Sequence, residues 1–277
     1  MLFRSNGYNI LIFSSNRTST GEHFDLVQGV ITYFFLQENG DFDITSEIIQ
    51  DPFLTKLLST ANTPGDDLGP YTLFSAVDGF EYLVLSSETQ DGDLDMFYLN
   101  NQPVSGNTLP VINGPYPLSL LNTDSDDAYI CFDTNQDTAY YISDREGNFE
   151  IYLNSRPDVK TLASWFSEGY SEGTKVDSIN SAGDDKCPFI LRKIMVFASD
   201  RPGGFGGFDL YYSVFRKGKW SSPVNMGEDI NTTYNEYRPV AGYHEDFTNN
   251  FIIFSSDRPG GKGGFDLYFR GVTFPEK

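Results

Sequence analysis

Apolar residues in this chain come in short consecutive runs, among them Ile194-Met-Val-Phe197 and Phe251-Ile-Ile-Phe254, each closed within a few residues by Gly, Pro, Asp or Asn. Short runs bounded by turn residues predict strands, and apolar side chains at successive positions predict strands covered on both faces. Two of the turns are almost the same. Phe197-Ala-Ser-Asp-Arg-Pro-Gly-Gly-Phe-Gly-Gly-Phe-Asp-Leu-Tyr211 recurs as Phe254-Ser-Ser-Asp-Arg-Pro-Gly-Gly-Lys-Gly-Gly-Phe-Asp-Leu-Tyr268. An apolar run leads in, a Gly-rich turn reverses the chain and a second apolar run leads out, which is the pattern of a β-hairpin.

Looser copies appear once the Ser of Ser-Asp-Arg is taken as an anchor. They begin at Phe13-Ser-Ser-Asn-Arg17, at Leu85-Ser-Ser-Glu-Thr89 and at Tyr141-Ile-Ser-Asp-Arg145. The anchors Ser15, Ser87, Ser143, Ser199 and Ser256 are spaced by 72, 56, 56 and 57 residues. A second motif keeps the same register: Asn62-Thr-Pro-Gly-Asp-Asp67, Asn122-Thr-Asp-Ser-Asp-Asp127, Asn180-Ser-Ala-Gly-Asp-Asp185 and Asn231-Thr-Thr-Tyr-Asn-Glu236. Each unit reads as four strands. In the last unit, strand A spans about Arg238 to Tyr243, B Phe251 to Ser255 and C Phe265 to Phe269, while D is best seen one unit earlier near Trp220 to Val224. Small strands that need cover on both faces, repeated at this period, predict an all-β fold, a five-bladed β-propeller of four-stranded antiparallel blades.

The long first interval adds residues around Thr45 to Ser59, where Ser46 to Leu58 predicts a helical turn. Aligning Ser15 with Ser256 sets Met1 opposite Gly242, inside a strand A, and the chain stops 21 residues past Ser256, before any strand D. The expectation is one domain, residues 1–277, with an incomplete seam blade, excised from a longer multidomain protein.

Composition narrows the functions. With 39 acidic against 19 basic residues the net charge is −20, which repels phosphate backbones and argues against nucleic acid. No apolar run approaches the roughly 18 residues of a membrane-spanning helix. The start, Met1 to Gly7, carries neither a signal-peptide core nor a lipobox cysteine, so export would need a signal upstream. Cys131 and Cys187 lack any CxxC spacing and read as buried thiols.

The hairpin Phe-Ser-Ser-Asp-Arg-Pro-Gly-Gly-x-Gly-Gly-Phe-Asp-Leu-Tyr, with the linking Trp220-Ser-Ser-Pro-Val-Asn-Met-Gly227, resembles the TolB-type, WD40-like propeller repeat of bacterial envelope proteins in its Bacteroidota form. In that family such propellers sit beside OmpA-like, peptidoglycan-binding domains or serve type IX secretion. The resemblance implies a propeller, a periplasmic or outer-membrane-associated location and a protein or peptide partner in an envelope assembly, with the domain itself a monomer.

Turn chemistry accounts for the hairpin residues. Asp200 and Arg201, with Asp257 and Arg258, are expected to hold the turn, the Asp accepting backbone N–H groups and the Arg packing on the next blade. Asp209 and Asp266 are expected to close the same loop, and the glycines to supply positive φ. The acids at the strand-A entrances hold more functional interest. Asp67, Asp127, Asp185 and Glu236 occupy equivalent positions and, with strand A innermost, are expected to ring one mouth of the central channel. Carboxylates converging there would suit Ca²⁺ or a basic peptide; no other cofactor is expected. The plainer alternative gives each pair one loop-capping and one solvated member.

Two catalytic readings stand beside this. Gly169-Tyr-Ser-Glu-Gly173 matches the nucleophile-elbow pattern, but His23 and His244 lie in blade turns and no α/β domain surrounds it. A glycosidase propeller needs two carboxylates from distinct blades, a site that breaks repeat symmetry, whereas these acids follow it. The exposed aromatics Tyr211, Tyr212, Tyr234 and Tyr237 would suit sugar or peptide. The sequence therefore leads to the expectation of a non-enzymatic protein-binding scaffold, with a carbohydrate-binding or glycoside hydrolase-like propeller as the alternative.

Overall fold

Five antiparallel sheets follow one another along the chain, and each anchor serine is the last or, for Ser87, the next-to-last residue of the second strand of its sheet. The computed structural model describes residues 2–5, 8–36, 41–104, 108–243 and 249–275, with side chains described from residue 9 onward except 33–44. His244, one of the two histidines expected in turns, lies outside the described residues. The architecture is all-β, a five-bladed β-propeller of small sheets. Its residues form two compact units, Met1–Leu118 and Ser119–Lys277.

The first unit holds two four-stranded sheets. One runs β1 (Leu2–Ser5), β2 (Tyr8–Ser15), β3 (Asp25–Leu36) and β4 (Asp41–Glu47); the other runs β5 (Asp67–Ser75), β6 (Phe80–Glu88), β7 (Leu94–Asn101) and β8 (Asn113–Pro117). Helix α1 (Pro52–Ala61) lies between them in sequence. It starts where it does because Pro52 has no N–H to satisfy and the Asp51 carboxylate accepts from Leu54 N at 2.9 Å. Its buried residues Leu54, Leu57, Leu58 and Ala61 recur at helical spacing and join Ile12, Leu26, Leu83, Leu85 and Leu99 in one core. The extra residues of the first interval thus supply apolar surface that these sheets bury.

The second unit begins with β9 (Asp127–Phe132), β10 (Thr138–Ser143) and β11 (Glu150–Ser155), then α2 (Leu162–Phe166) and β12 (Thr174–Lys175). Helix α2 buries Trp165 and Phe166 against Phe132. The next sheet is β13 (Asp185–Leu191), β14 (Ile194–Ser199) and β15 (Asp209–Arg216), with its fourth strand broken into β16 (Lys219–Trp220) and β17 (Val224–Asn225), both paired to β15. The last is three-stranded: β18 (Glu236–Tyr243), β19 (Asn250–Ser256) and β20 (Asp266–Val272). The second strands are buried along consecutive residues, Met195 to Ser199 and Phe251 to Phe254 among them, as strands covered on both faces must be.

The turn glycines divide into two physical roles. Gly203 and Gly260 have φ of +94° and +101°, the left-handed region that favours glycine. Gly206 does not; it is small because the next sheet's approach segment passes over it. A Cβ there would lie 2.5 Å from Thr232 O and against Tyr234 O. The expectation that all the glycines serve positive φ is corrected accordingly. At the equivalent Gly263 the nearest atom to such a Cβ is Phe265 O at 3.6 Å. Gly206→Ala is therefore expected to destabilise by about 2 kcal/mol or more, the range of overpacking, whereas Gly263→Ala stays within about 0.5 kcal/mol, as surface changes do. Urea unfolding of the two variants checks the contrast.

Candidate functional site

The acids at the strand-A entrances pair in register with the anchor serines: Asp67 with Ser87, Asp127 with Ser143, Asp185 with Ser199 and Glu236 with Ser256. All four carboxylates are fully buried. Glu236 accepts from Thr232 N at 2.8 Å, Thr232 Oγ1 at 2.7 Å and Ser256 Oγ at 3.0 Å, and pairs with Arg258 at 2.9 Å. Asp185 pairs with Arg201 at 2.5 Å and Asp127 with Arg145 at 3.2 Å. Each of these arginines donates Nε to its anchor serine, at 3.0, 2.9 and 2.9 Å for Arg258, Arg201 and Arg145. Arg201 lies over Tyr211 at 4.8 Å and Arg258 over Tyr268 at 4.8 Å, so aromatic rings cover the guanidinium faces. The arginines thus reach back into the approach loop of their own sheet, at Ile179 O and Ile230 O.

The second sheet departs from this circuit. Thr89 stands where the others carry Arg, and Asp67 is held by neutral groups alone, Ser87 Oγ at 2.5 Å and Thr63 N at 2.6 Å. Burial raises the Asp67 pKa, with the hydrogen bonds from Ser87 and Thr63 only partly offsetting it. Burial also raises that of Asp127, against the pull of Ser143, Thr123 and Arg145.

The remaining turn acids hold backbone. Asp200 accepts from Asp184 N at 2.8 Å and Asp257 from Asn235 N at 2.8 Å. Asp209 accepts from Phe205 N at 2.7 Å and Asp266 from Lys262 N at 2.7 Å. Among the described residues no three His, Cys, Asp or Glu side chains gather into a metal site. Ser171 of the Gly-x-Ser-x-Gly match donates its N–H to Leu120 O at 2.9 Å, with helix α2 before it and strand β12 after, the reverse of an elbow. Of the aromatics, Tyr211 is buried on Phe197, Tyr212 packs on Phe274 and Tyr237 on Phe208, and Tyr234 is exposed. Cys131 and Cys187 are free and buried; burial lifts the Cys187 thiol to about 11, so it stays protonated.

The repeat breaks its symmetry two residues after each buried acid. Each of these four strands shifts register there, and the residue at the bulge is left-handed: Gly69 at φ +58°, Tyr129 at +53°, Cys187 at +54° and Arg238 at +51°. Only the first is glycine. Bulky residues in this region cost on the order of 1–3 kcal/mol and persist where their surroundings fix them, commonly at functional sites. Within the second unit Arg238 reaches the other two: its guanidinium lies over the Tyr129 ring, 5.4 Å from the ring centre, and Cys187 is close enough for the Arg238 charge to act on its thiol. Tyr129 and Arg238 are partly exposed while Cys187 is buried. A guanidinium with an aromatic ring offers paired donors and a flat apolar face. The signal in the sequence was available as unlike residues at one otherwise regular position.

No known family's sequence profile matches the chain, and no curated protein matches it by sequence. Solved structures do. A thermostable family-43 glycoside hydrolase superposes with a TM-score of 0.59 at 13% identity, over 99% of this chain and 89% of that one. The α-L-arabinofuranosidase of Lactobacillus brevis gives 0.57 at 11% identity, over 99% and 90%. TolB of Acinetobacter baumannii gives 0.40 at 10% identity, over 96% and 52%, too slight a likeness to add to the resemblance carried by the hairpin residues. At these identities the likeness is one of fold. The expectation of a non-enzymatic scaffold is corrected: the solved structures that share this fold over nearly the whole chain are mostly glycoside hydrolases. The physical ground for the scaffold also falls away. It rested on the acids keeping the repeat's symmetry, but these acids are bound into the framework, so their symmetry says nothing against a site elsewhere.

Glu236→Gln strands the part-buried Arg258 charge and is expected to cost about 3 kcal/mol, as when one partner of a buried pair is removed. Asp67→Asn strands no cation and is expected to cost less than half as much. With its folded pKa above the ordinary 3.8, Asp67 stabilises most below that value, and the contribution is lost as pH rises through the folded pKa. The gap between wild type and Asp67→Asn should therefore narrow or reverse toward neutral pH, measured by urea unfolding at pH 3.5 and pH 7.

Proposed function

We propose that this protein is a carbohydrate-active propeller that takes its saccharide at the Tyr129–Cys187–Arg238 bulge cluster. The observation that carries the reading is the cluster itself: three unlike residues in the left-handed conformation at one repeat position, where glycine would be relaxed. Saccharides present C–H faces that pack on aromatic rings and hydroxyl pairs that accept from a guanidinium, and the cluster brings a tyrosine ring and a guanidinium together. The net charge of −20 favours neutral sugars over anionic polymers. The structural neighbours, an arabinofuranosidase and galactanases among them, support trying arabino- and galacto-oligosaccharides first. An envelope location, which the hairpin resemblance implies, accords with a glycan ligand.

Calorimetric titration with such oligosaccharides, alongside reducing-end release from them and from aryl glycosides, tests the reading. Saturable binding is expected, weakened at least about tenfold by Arg238→Met, a loss of about 1.4 kcal/mol. Tyr129→Gly relieves the left-handed strain, so it should lower affinity while holding the melting temperature within about 4 °C. A panel giving neither binding nor release, or binding indifferent to both substitutions, would overturn it.

A further inference from the structure

In the sheet that opens the second unit, the outer strand stops short. β12 pairs with β11 only at Tyr152 with Lys175 and Leu153 with Thr174. Two other sheets carry the cover further along the third strand. Glu150 and Asp209 both pair with an anchor serine, which sets Asn154 level with Ser213 and Ser155 level with Val214. In the fourth sheet Ser221 lies alongside that pair: Ser213 Oγ donates to Ser221 O at 2.6 Å, and Val214 N donates to Ser221 Oγ at 3.1 Å. In the second sheet Asn113 pairs with Asn100, the residue level with Ser155, and donates Nδ2 to its Oδ1 at 3.0 Å.

In the third sheet the chain takes other partners instead. Ser171 donates its N–H to Leu120 O at 2.9 Å, and Arg145 Nη1 donates to Glu172 O at 3.0 Å. Gly173 makes the divergence possible: its φ is +69°, and a Cβ there would lie 2.7 Å from Tyr141 Oη and 2.9 Å from Leu153 O. The result is a cleft of about 340 Å³ between the end of β11 and residues 171–174. That is the lower end of the roughly 300–1,000 Å³ that small-ligand sites span. A second observation lies inside it. Asn154 lines the cleft, is only 9% exposed, and its Nδ2 is buried with no acceptor. A buried amide donor left unmet is costly, and an acceptor carried into the cleft removes that cost.

The other lining groups define what the acceptor belongs to. Ser155, Ser171 and Thr174 offer hydroxyls, the exposed Glu172 brings a negative charge, and among the described residues no cation lines the cleft. Glu172 repels an anion, and an apolar ligand would strand the amide and the hydroxyls. An ammonium group would suit Glu172 but gives Asn154 no acceptor. Neighbouring hydroxyls on a neutral ligand supply donor and acceptor together, and the fourth sheet itself fills this place with a hydroxyl, that of Ser221. We propose that this cleft is a second saccharide site, which takes one neutral sugar unit through vicinal hydroxyls. Asn154 donates to one hydroxyl and Glu172 accepts from the next. The cleft lies on the β12 side of β11, whereas β9, which carries Tyr129, forms the opposite edge of the same sheet. The site therefore stands apart from the bulge cluster and on its own residues.

The full chain with isotope-labelled nitrogen, titrated with methyl β-galactoside, tests the proposal through the Asn154 side-chain amide signal, identified by its loss in Asn154→Leu. Saturable movement of that signal is expected, and Arg238→Met, which alters the bulge cluster alone, is expected to leave the titration unchanged. Galacturonate should bind at least about tenfold more weakly than the neutral sugar, with Glu172→Gln removing most of the difference. Asn154→Leu keeps the volume and removes the unmet donor, so the melting temperature should hold while binding, read at the Gly173 amide, weakens at least about tenfold. Absence of saturable movement overturns the proposal, as does unchanged binding in Asn154→Leu or equal affinity for galacturonate. Loss of the titration in Arg238→Met also overturns it, since one site would then account for all binding. Movement at Asn154 in a protein whose bulge cluster binds nothing upholds this site and rejects the other.

Discussion

A carboxylate withdrawn from water must be surrounded by donors, and in this protein that requirement fixes the start of each strand A in the last four sheets. Asp67, Asp127, Asp185 and Glu236 are each met by the backbone of an approach loop on one side and by the neighbouring second strand on the other. In three of the sheets the turn arginine completes the shell, steered by its bond to the anchor serine. Loop, strand and turn are thereby locked to one point. The Ser-Asp-Arg hairpin is the visible end of this circuit, since the arginine must come from a turn that reaches the strand-A entrance. The second sheet shows what is dispensable: with Thr89 in place of Arg, the hydroxyl and amide donors alone keep Asp67 buried.

That circuit also relocates the search for function. Once the repeated acids are spoken for by the framework, their regularity ceases to be evidence for or against chemistry. What varies is the bulge two residues on, where the backbone demands a left-handed residue and glycine would be the relaxed choice. Tyr129, Cys187 and Arg238 hold that conformation instead. The rigid rung beneath them supplies the constraint that keeps them there, so the buried carboxylates brace the residues proposed to bind sugar.

Much of the fold was legible in one dimension. The anchor serines, the consecutive apolar second strands and the helical insertion all rest on local patterns, and the strands fall within a few residues of where those patterns put them. The helix came later than its apolar pattern suggested because Asp51 and Pro52 set its start. The candidate site was far less legible. The equivalence of the acids could be read from spacing, but burial at zero exposure and their arginine partners could not, because both depend on loops lying alongside from elsewhere in the chain.

The sequence by itself determined the repeat, the number of sheets and the register of acid, serine and turn, because each is encoded by residues close together or by exact recurrence. Tertiary structure decided which glycines serve φ and which serve close approach. It decided that Tyr129 and Arg238 meet. These are set by segments that arrive from a neighbouring sheet, and a residue's own sequence context carries no record of what will press against it.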